Sequence, residues 1–183
     1  MYSTPPALRR PSLYAGVAIA AVLGFIDLFV EPHIAFNHTA SMPRGFYWLS
    51  SVPVTGARSG DIVIACPPPA FAIYGRTHEF LDIGPCDGAT TVIKHVVAMA
   101  GDRVHLGATG VRVNGHLIPN SAPLRRDARG ALVPHIAHAA YVVRDHQVWL
   151  IGDDMRSFDS RYFGAVDRAL NIAQPFLTIP SPS

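Results

Sequence analysis

The chain has 183 residues, a formal net charge of +2 and only 15% charged residues. That length suits one domain with a sizeable core, and so small a charge, with no basic patch interleaved with aromatics, excludes a nucleic-acid-binding protein. Sixteen prolines and fifteen glycines favour short strands and turns over a helical bundle.

The first element is apolar. Leu13 to Val30 carries one charge, Asp27, and is just long enough to span a bilayer as a helix. Arg9 and Arg10 precede it and Glu31 follows, so the positive-inside rule puts the N-terminus in the cytoplasm and the rest outside. Pro32 ends the helix, and no small-x-small site marks a signal-peptide cleavage. The segment also lacks the amphipathic stripe of a buried core helix. The expected organisation is therefore a cytoplasmic stretch 1–12, a single membrane anchor 13–30, an external domain 31–175, and a loosely held tail from Pro175 onward, with 176–183 outside the domain.

The next stretch, Asn37-His38-Thr39-Ala40-Ser41-Met42-Pro43-Arg44-Gly45, reads as a strand end presenting one hydroxyl, followed by a turn at Gly45. Gly45–Ser51 and Gly60–Cys66 read as strands, and Pro67-Pro68-Pro69 stops the second. Phe71–Leu81 reads as a helix and Asp82–Gly88 as a loop. Thr90–Asp102 is a β-branched run suited to a central strand. Asn114-Gly115 marks a hairpin turn within Val111–Ile118. Pro119–His138 reads as a surface loop, Tyr141–Arg144 and Gln147–Ile151 as short strands, and Gly152–Gly164 as a polar loop. The cysteines are Cys66 and Cys86. Outside the cytoplasm they are able to form a disulfide, and two buried free thiols fit the sequence as well.

Two features are out of place. Lys94 sits inside an apolar strand, where it must find a partner or lose its proton; a neutral lysine amine is a general base. A lysine reaching the strand edge is the ordinary alternative. In the polar loop, Ser157, Asp159 and Arg161 alternate, so an extended segment would put them on one face, able to orient an amine and hold an Asp–Arg pair. A solvated turn is the alternative there. A hydroxyl, a base in an apolar strand and an orienting face together follow the logic of an activated serine.

Ser-Met-Pro after an apolar anchor, a lysine in a Val/Ile-rich strand followed by Gly-Asp, and Ser-Phe-Asp-Ser-Arg-Tyr-Phe-Gly, in that order, resemble the type I signal peptidases, and most of all their TraF branch. The resemblance runs from the anchor to about residue 170. It implies a mainly β catalytic domain of coiled antiparallel sheets behind one transmembrane helix, and a serine/lysine endopeptidase without a cofactor. Ser41 takes the nucleophile's place and Lys94 the general base's. Thr39, with the Ser41 N–H, takes the oxyanion-hole position. Ser157 takes that of the residue that hydrogen-bonds the lysine amine, Asp159 belongs to the catalytic set, and Arg161 pairs with it. The implied substrate is a pilin precursor (TrbC-like) of conjugative secretion or another signal-peptide-bearing membrane protein, cut or joined into a ring. Asp153-Asp154-Met155-Arg156 departs from the usual Gly-Asp-Asn wording.

Several rival readings exist. A Ser/His/Asp hydrolase finds nine histidines, His38 and His95 among them, but no Gly-x-Ser-x-Gly elbow. His135 and His138 make a poor metal site, without cysteine or acidic partners. A LexA-like self-cleaving repressor needs a helix-turn-helix where this chain has its apolar segment. A general signal peptidase, or a non-catalytic membrane-anchored β module of a secretion apparatus, are the remaining alternatives.

Overall fold

The computed structural model describes residues 11–30, 33–50, 56–127, 129–133, 140–167 and 169–179. The chain divides into two units, Met1–Ile34 and Ala35–Ser183.

In the first unit, helix α1 (Pro11–Phe25) has 15 residues and passes into a π-helical stretch, Ile26–Val30. The helix expected over 13–30 is thus divided into an α-helical and a π-helical part, and among the described residues no helix is long and apolar enough to cross a membrane. The hydrogen-bond register widens beyond Phe25, after Gly24, so the α-helix ends there. The side chains remain apolar and outward-facing: Val17, Val22, Leu23, Phe25, Leu28 and Phe29 are all exposed.

The second unit is built of antiparallel strands, as the turn-rich composition predicts. Six form one sheet: β1 (Ile34–Asn37), β2 (Arg44–Ser50), β12 (Ala169–Ile179), β3 (Ile62–Ala65), β6 (Val92–Ala98) and β11 (Trp149–Ile151), in that spatial order. Four form a second: β10 (Ala140–Val142), β7 (Arg103–Gly107), β8 (Gly110–Val113) and β9 (His116–Leu117). The turn between β8 and β9 is Asn114-Gly115, both at positive φ, as the hairpin signal predicts. A small hairpin, β4 (Ile83–Gly84) and β5 (Gly88–Ala89), occupies much of the stretch expected to be a plain loop.

Strand β6 is the β-branched run. It lies between β3 and β11, with Val92, Val96 and Ala98 buried. One core cluster gathers Val63, Val92, Val96, Leu150, Phe158, Tyr162 and Phe163; a second gathers Val104, Leu106, Val111, Val143 and Trp149. Helix α2 (Pro69–Thr77) starts two residues before the expected helix because proline is well placed in a first helical turn, and ends four residues earlier, at Thr77.

Two expectations about the chain path are corrected. The tail from Pro175 is not loose through Ile179, because β12 continues to that residue paired with β2. Residues 180–183 lie outside the described residues. Gly45 does not turn the chain away; it lies within β2 at φ +138, where a Cβ would stand 2.1 Å from the carbonyl oxygen of Leu177 on β12.

Cys66 and Cys86 form a disulfide with Cα atoms 5.3 Å apart. It joins the end of β3 to the small hairpin across 20 residues.

Candidate active site

Ser41 lies in the turn between β1 and β2, and its neighbours explain the shape of that turn. Asn37, at the end of β1, donates from Nδ2 to the carbonyls of Thr39, Met42 and Pro43. The Tyr47 hydroxyl, reaching back from β2, also donates to the Pro43 carbonyl. Met42 and Tyr47 are fully buried against Ile64 and Ile93. The nucleophile turn is thus held from beneath by packing and from within by one amide side chain.

Lys94 comes from the middle of β6. Its Nζ lies 2.9 Å from Ser41 Oγ and donates to the Ile93 carbonyl at 2.9 Å. The side chain is 4% exposed. Burial lowers its pKa to about 8, with Asp159 and Asp153 pulling it back up and Arg161 pushing it down. An amine at that value is part neutral near physiological pH and can take a proton.

The segment from Gly152 to Gly164 closes the site. The Asp153 N–H donates to the Ser41 carbonyl at 2.8 Å. Gly152 must be glycine here, since a Cβ would fall 2.3 Å from Ser157 Oγ and 2.7 Å from the Ser41 carbonyl oxygen. Asp159 and Arg161 are both fully buried. The Asp159 carboxylate accepts from the Gly152 N–H and from the Arg161 N–H, Nε and Nη2. Arg161 spends its other donors on the carbonyls of Asn120, Ala122, Met155, Asp154 and Ser157. One guanidinium therefore fixes most of a loop that has little regular structure of its own.

The expected residues do converge, with three corrections. Ser157, Asp159 and Arg161 do not share the face of an extended strand: Asp159 caps a one-turn helix, α3 (Ser160–Phe163), whose first turn carries Arg161. Asp159 touches neither Ser41 nor Lys94, since its oxygens are taken by Gly152 and Arg161, so it positions the site and is not a reacting group. Ser157 Oγ is buried without a hydrogen-bond partner, so the expected bond to the lysine amine is not made.

Thr39 Oγ1 lies 2.9 Å from Ser41 Oγ, and its proton goes to Asn37 Oδ1. Asn37 is the residue that sequence reasoning missed; an asparagine closing a strand four residues before the serine was the available signal. Lys94 is also the only lysine among 183 residues, a signal readable without any structure.

A cleft of about 280 Å³ opens over Ser41 and Lys94, walled by Ala35–Ala40, by Phe80–Asp82 and by Thr90–Ile93. Ser157 lines it too. His38 pairs with Asp82 at 3.1 Å, and His95 with Asp153 at 3.2 Å. Neither His38 nor His95 pairs with Ser41, whose hydroxyl meets Thr39 and Lys94 instead. No cluster of potential metal ligands occurs among the described residues, and His135 and His138 lie outside them.

Residues 10–178 match the family described as signal peptidase, peptidase S26. The chain belongs to that family, which makes it a serine peptidase of the signal-peptidase class. Its relatives include a plasmid transfer protein TraF of Escherichia coli, 35% identical over 90% of this chain and 94% of that one. A probable conjugal transfer protein TraF of Sinorhizobium fredii is 37% identical over 93% of this chain and 92% of its own length. A crystal structure of a signal peptidase I from Enterococcus faecalis, at 20% identity and a TM-score of 0.38, matches 66% of this chain and 97% of that one.

Proposed function

We propose that this chain is a membrane-anchored endopeptidase of plasmid conjugation that cuts a pilin precursor, with Ser41 as nucleophile and Lys94 as general base. The observation that carries the reading is the 2.9 Å contact between Ser41 Oγ and the buried Lys94 amine at the floor of an open cleft. The conjugation-transfer names of the relatives support the setting. The outward-facing apolar side chains of α1 and the π-helical stretch support an anchor in the inner membrane, with the catalytic unit on the periplasmic side.

In this reading the substrate lies extended along β1, the outermost strand of the six-stranded sheet, whose free edge can accept one more strand. Neutral Lys94 takes the Ser41 proton as Oγ attacks the scissile carbonyl. The oxyanion meets the Ser41 N–H and the Thr39 hydroxyl once that hydroxyl turns from Asn37, each donor worth roughly 3 kcal/mol. Lys94 then protonates the leaving amine and the acyl ester remains on Ser41. The ammonium has three N–H groups, of which Ser41 and Ile93 take two; Ser157 Oγ, unpartnered and on the same cleft wall, is the acceptor that suits the third. Water releases a linear product. An amine of the substrate's own N-terminus would release a ring, one water lighter.

The test is co-expression with a candidate pilin precursor and intact mass of the product, for wild type, Ser41→Ala and Lys94→Met. Processing by wild type and by neither variant is the expected result. Processing that survives both substitutions would overturn the reading in favour of a non-catalytic module.

A further inference from the structure

The hydroxyls around Ser41 form a chain with a direction. Asn37, 8% exposed, aims Nδ2 at three carbonyl oxygens, those of Thr39 (3.1 Å), Met42 (3.0 Å) and Pro43 (3.1 Å). Carbonyls only accept, so the amide cannot flip and Oδ1 must face the other way. There it accepts from the Thr39 N–H at 3.2 Å and the Thr39 hydroxyl at 2.9 Å. A threonine hydroxyl has one proton to give. With that proton on Asn37, Thr39 Oγ1 meets Ser41 Oγ at 2.9 Å as an acceptor, and Ser41 is the donor. Lys94 Nζ in turn donates to Ser41 Oγ.

In this arrangement the Ser41 proton faces Thr39 while Lys94 Nζ donates to Ser41 Oγ, the only direction open to an ammonium. To act as the base, the neutral amine needs the reverse, with its lone pair accepting the Ser41 proton. Ser41 Oγ and Thr39 Oγ1 would then face each other at 2.9 Å with no proton between them, unless Thr39 lets go of Asn37.

We propose that Asn37 is a positioning residue for the Ser41–Lys94 pair: by holding the Thr39 proton it makes Thr39 an acceptor for Ser41, and so favours a resting form in which the nucleophile's proton points away from its base. The inference rests on reading Ser41 and Lys94 as the catalytic pair. One rotation of the Thr39 hydroxyl away from Asn37 does two things. It frees the Ser41 proton for Lys94, and it provides a donor for the oxyanion. The charges facing Lys94 are Asp159 and Arg161 of the closing segment and Asp153, itself paired with His95. Farther along the cleft wall are Asp154 with Arg156 and Asp82 with His38. The variants below leave all of them in place.

Because Lys94 is the only lysine, the full chain in detergent micelles, labelled with 13Cε-lysine, gives one signal that reports its protonation directly. Thr39→Val is expected to lower the titration midpoint by about half to one pH unit, roughly a three- to tenfold loss of proton affinity for one hydrogen bond. Asn37→Ala is expected to lower it too, the double variant to match Thr39→Val alone, and Thr39→Ser to match wild type. A purely structural role for Asn37 has the opposite sign, because a loosened turn admits water and raises the midpoint toward that of an ordinary lysine. An unmoved midpoint in Thr39→Val, a raised one in Asn37→Ala, or an Asn37→Ala effect independent of the Thr39 hydroxyl overturns the proposal. Should Asn37→Ala fail to fold, Thr39→Val against Thr39→Ser decides it. No substrate enters the measurement. A chain that titrates as expected yet processes no precursor refutes the proposed function alone, and one that processes precursor while its midpoint ignores Thr39 refutes the relay alone.

Discussion

The fold keeps Lys94 as an amine at a cost to its own stability. Its pKa is about 8 in the folded chain against 10.5 for an ordinary lysine. Between those values the unfolded chain binds the extra proton, so stability rises with pH; below about 8 the penalty is full, about 3 kcal/mol at most. Lys94→Met should therefore raise the unfolding temperature at pH 7, with a gain that shrinks as pH climbs toward 10. A gain that does not change with pH would contradict the burial argument. The reverse holds at Arg161. Arg161→Ala strands the Asp159 carboxylate without its partner and should cost about 3–5 kcal/mol in denaturant unfolding. A loss under 1 kcal/mol would show that the closing segment is held by something else.

At the scale of the element, the Cys66–Cys86 link binds the end of β3 to the hairpin that follows the Phe80–Asp82 wall of the cleft. Replacing both cysteines by serine should cost roughly 3 kcal/mol for a loop of this length and should raise KM more than it lowers kcat, since the wall moves and the Ser41–Lys94 pair does not. Equal losses in both constants would place the disulfide's effect on the pair itself.

Which elements were legible follows from local chemistry. Strand β6 announces itself by its β-branched run, and the β8–β9 hairpin by Asn114-Gly115. Strand β12 was hidden because Pro175 reads as a strand breaker. It is tolerated because β3 pairs only with Ala169–Ile172, which leaves β2 as the sole partner at Pro175, and because the register shifts between Pro175 and Leu177. The polar segment after Gly152 yielded the right residues and the wrong geometry. Their alternation suggested a shared face, whereas Asp159 caps a helical turn and turns its carboxylate onto Gly152 and Arg161. Nothing local could reveal that Ser157 Oγ would be left without a partner, since that depends on how closely Gly152 packs against it.

At the scale of the whole molecule, the site exists only in the folded chain. Ser41 and Lys94 are 53 residues apart, and β6 reaches the Ser41 turn because β3 and β11 hold it inside the six-stranded sheet. The closing segment then ties the Ser41 carbonyl to Asp153. The central claim is that this assembly makes a base of Lys94. The most direct test is kcat/KM against pH from 6 to 10, for the full chain in detergent, on a pilin-derived peptide spanning the cut. The account predicts a rise of about tenfold per pH unit that levels near pH 8, where Lys94 loses its proton. A rate already level by about pH 7, as an ordinary histidine base would give, would contradict it.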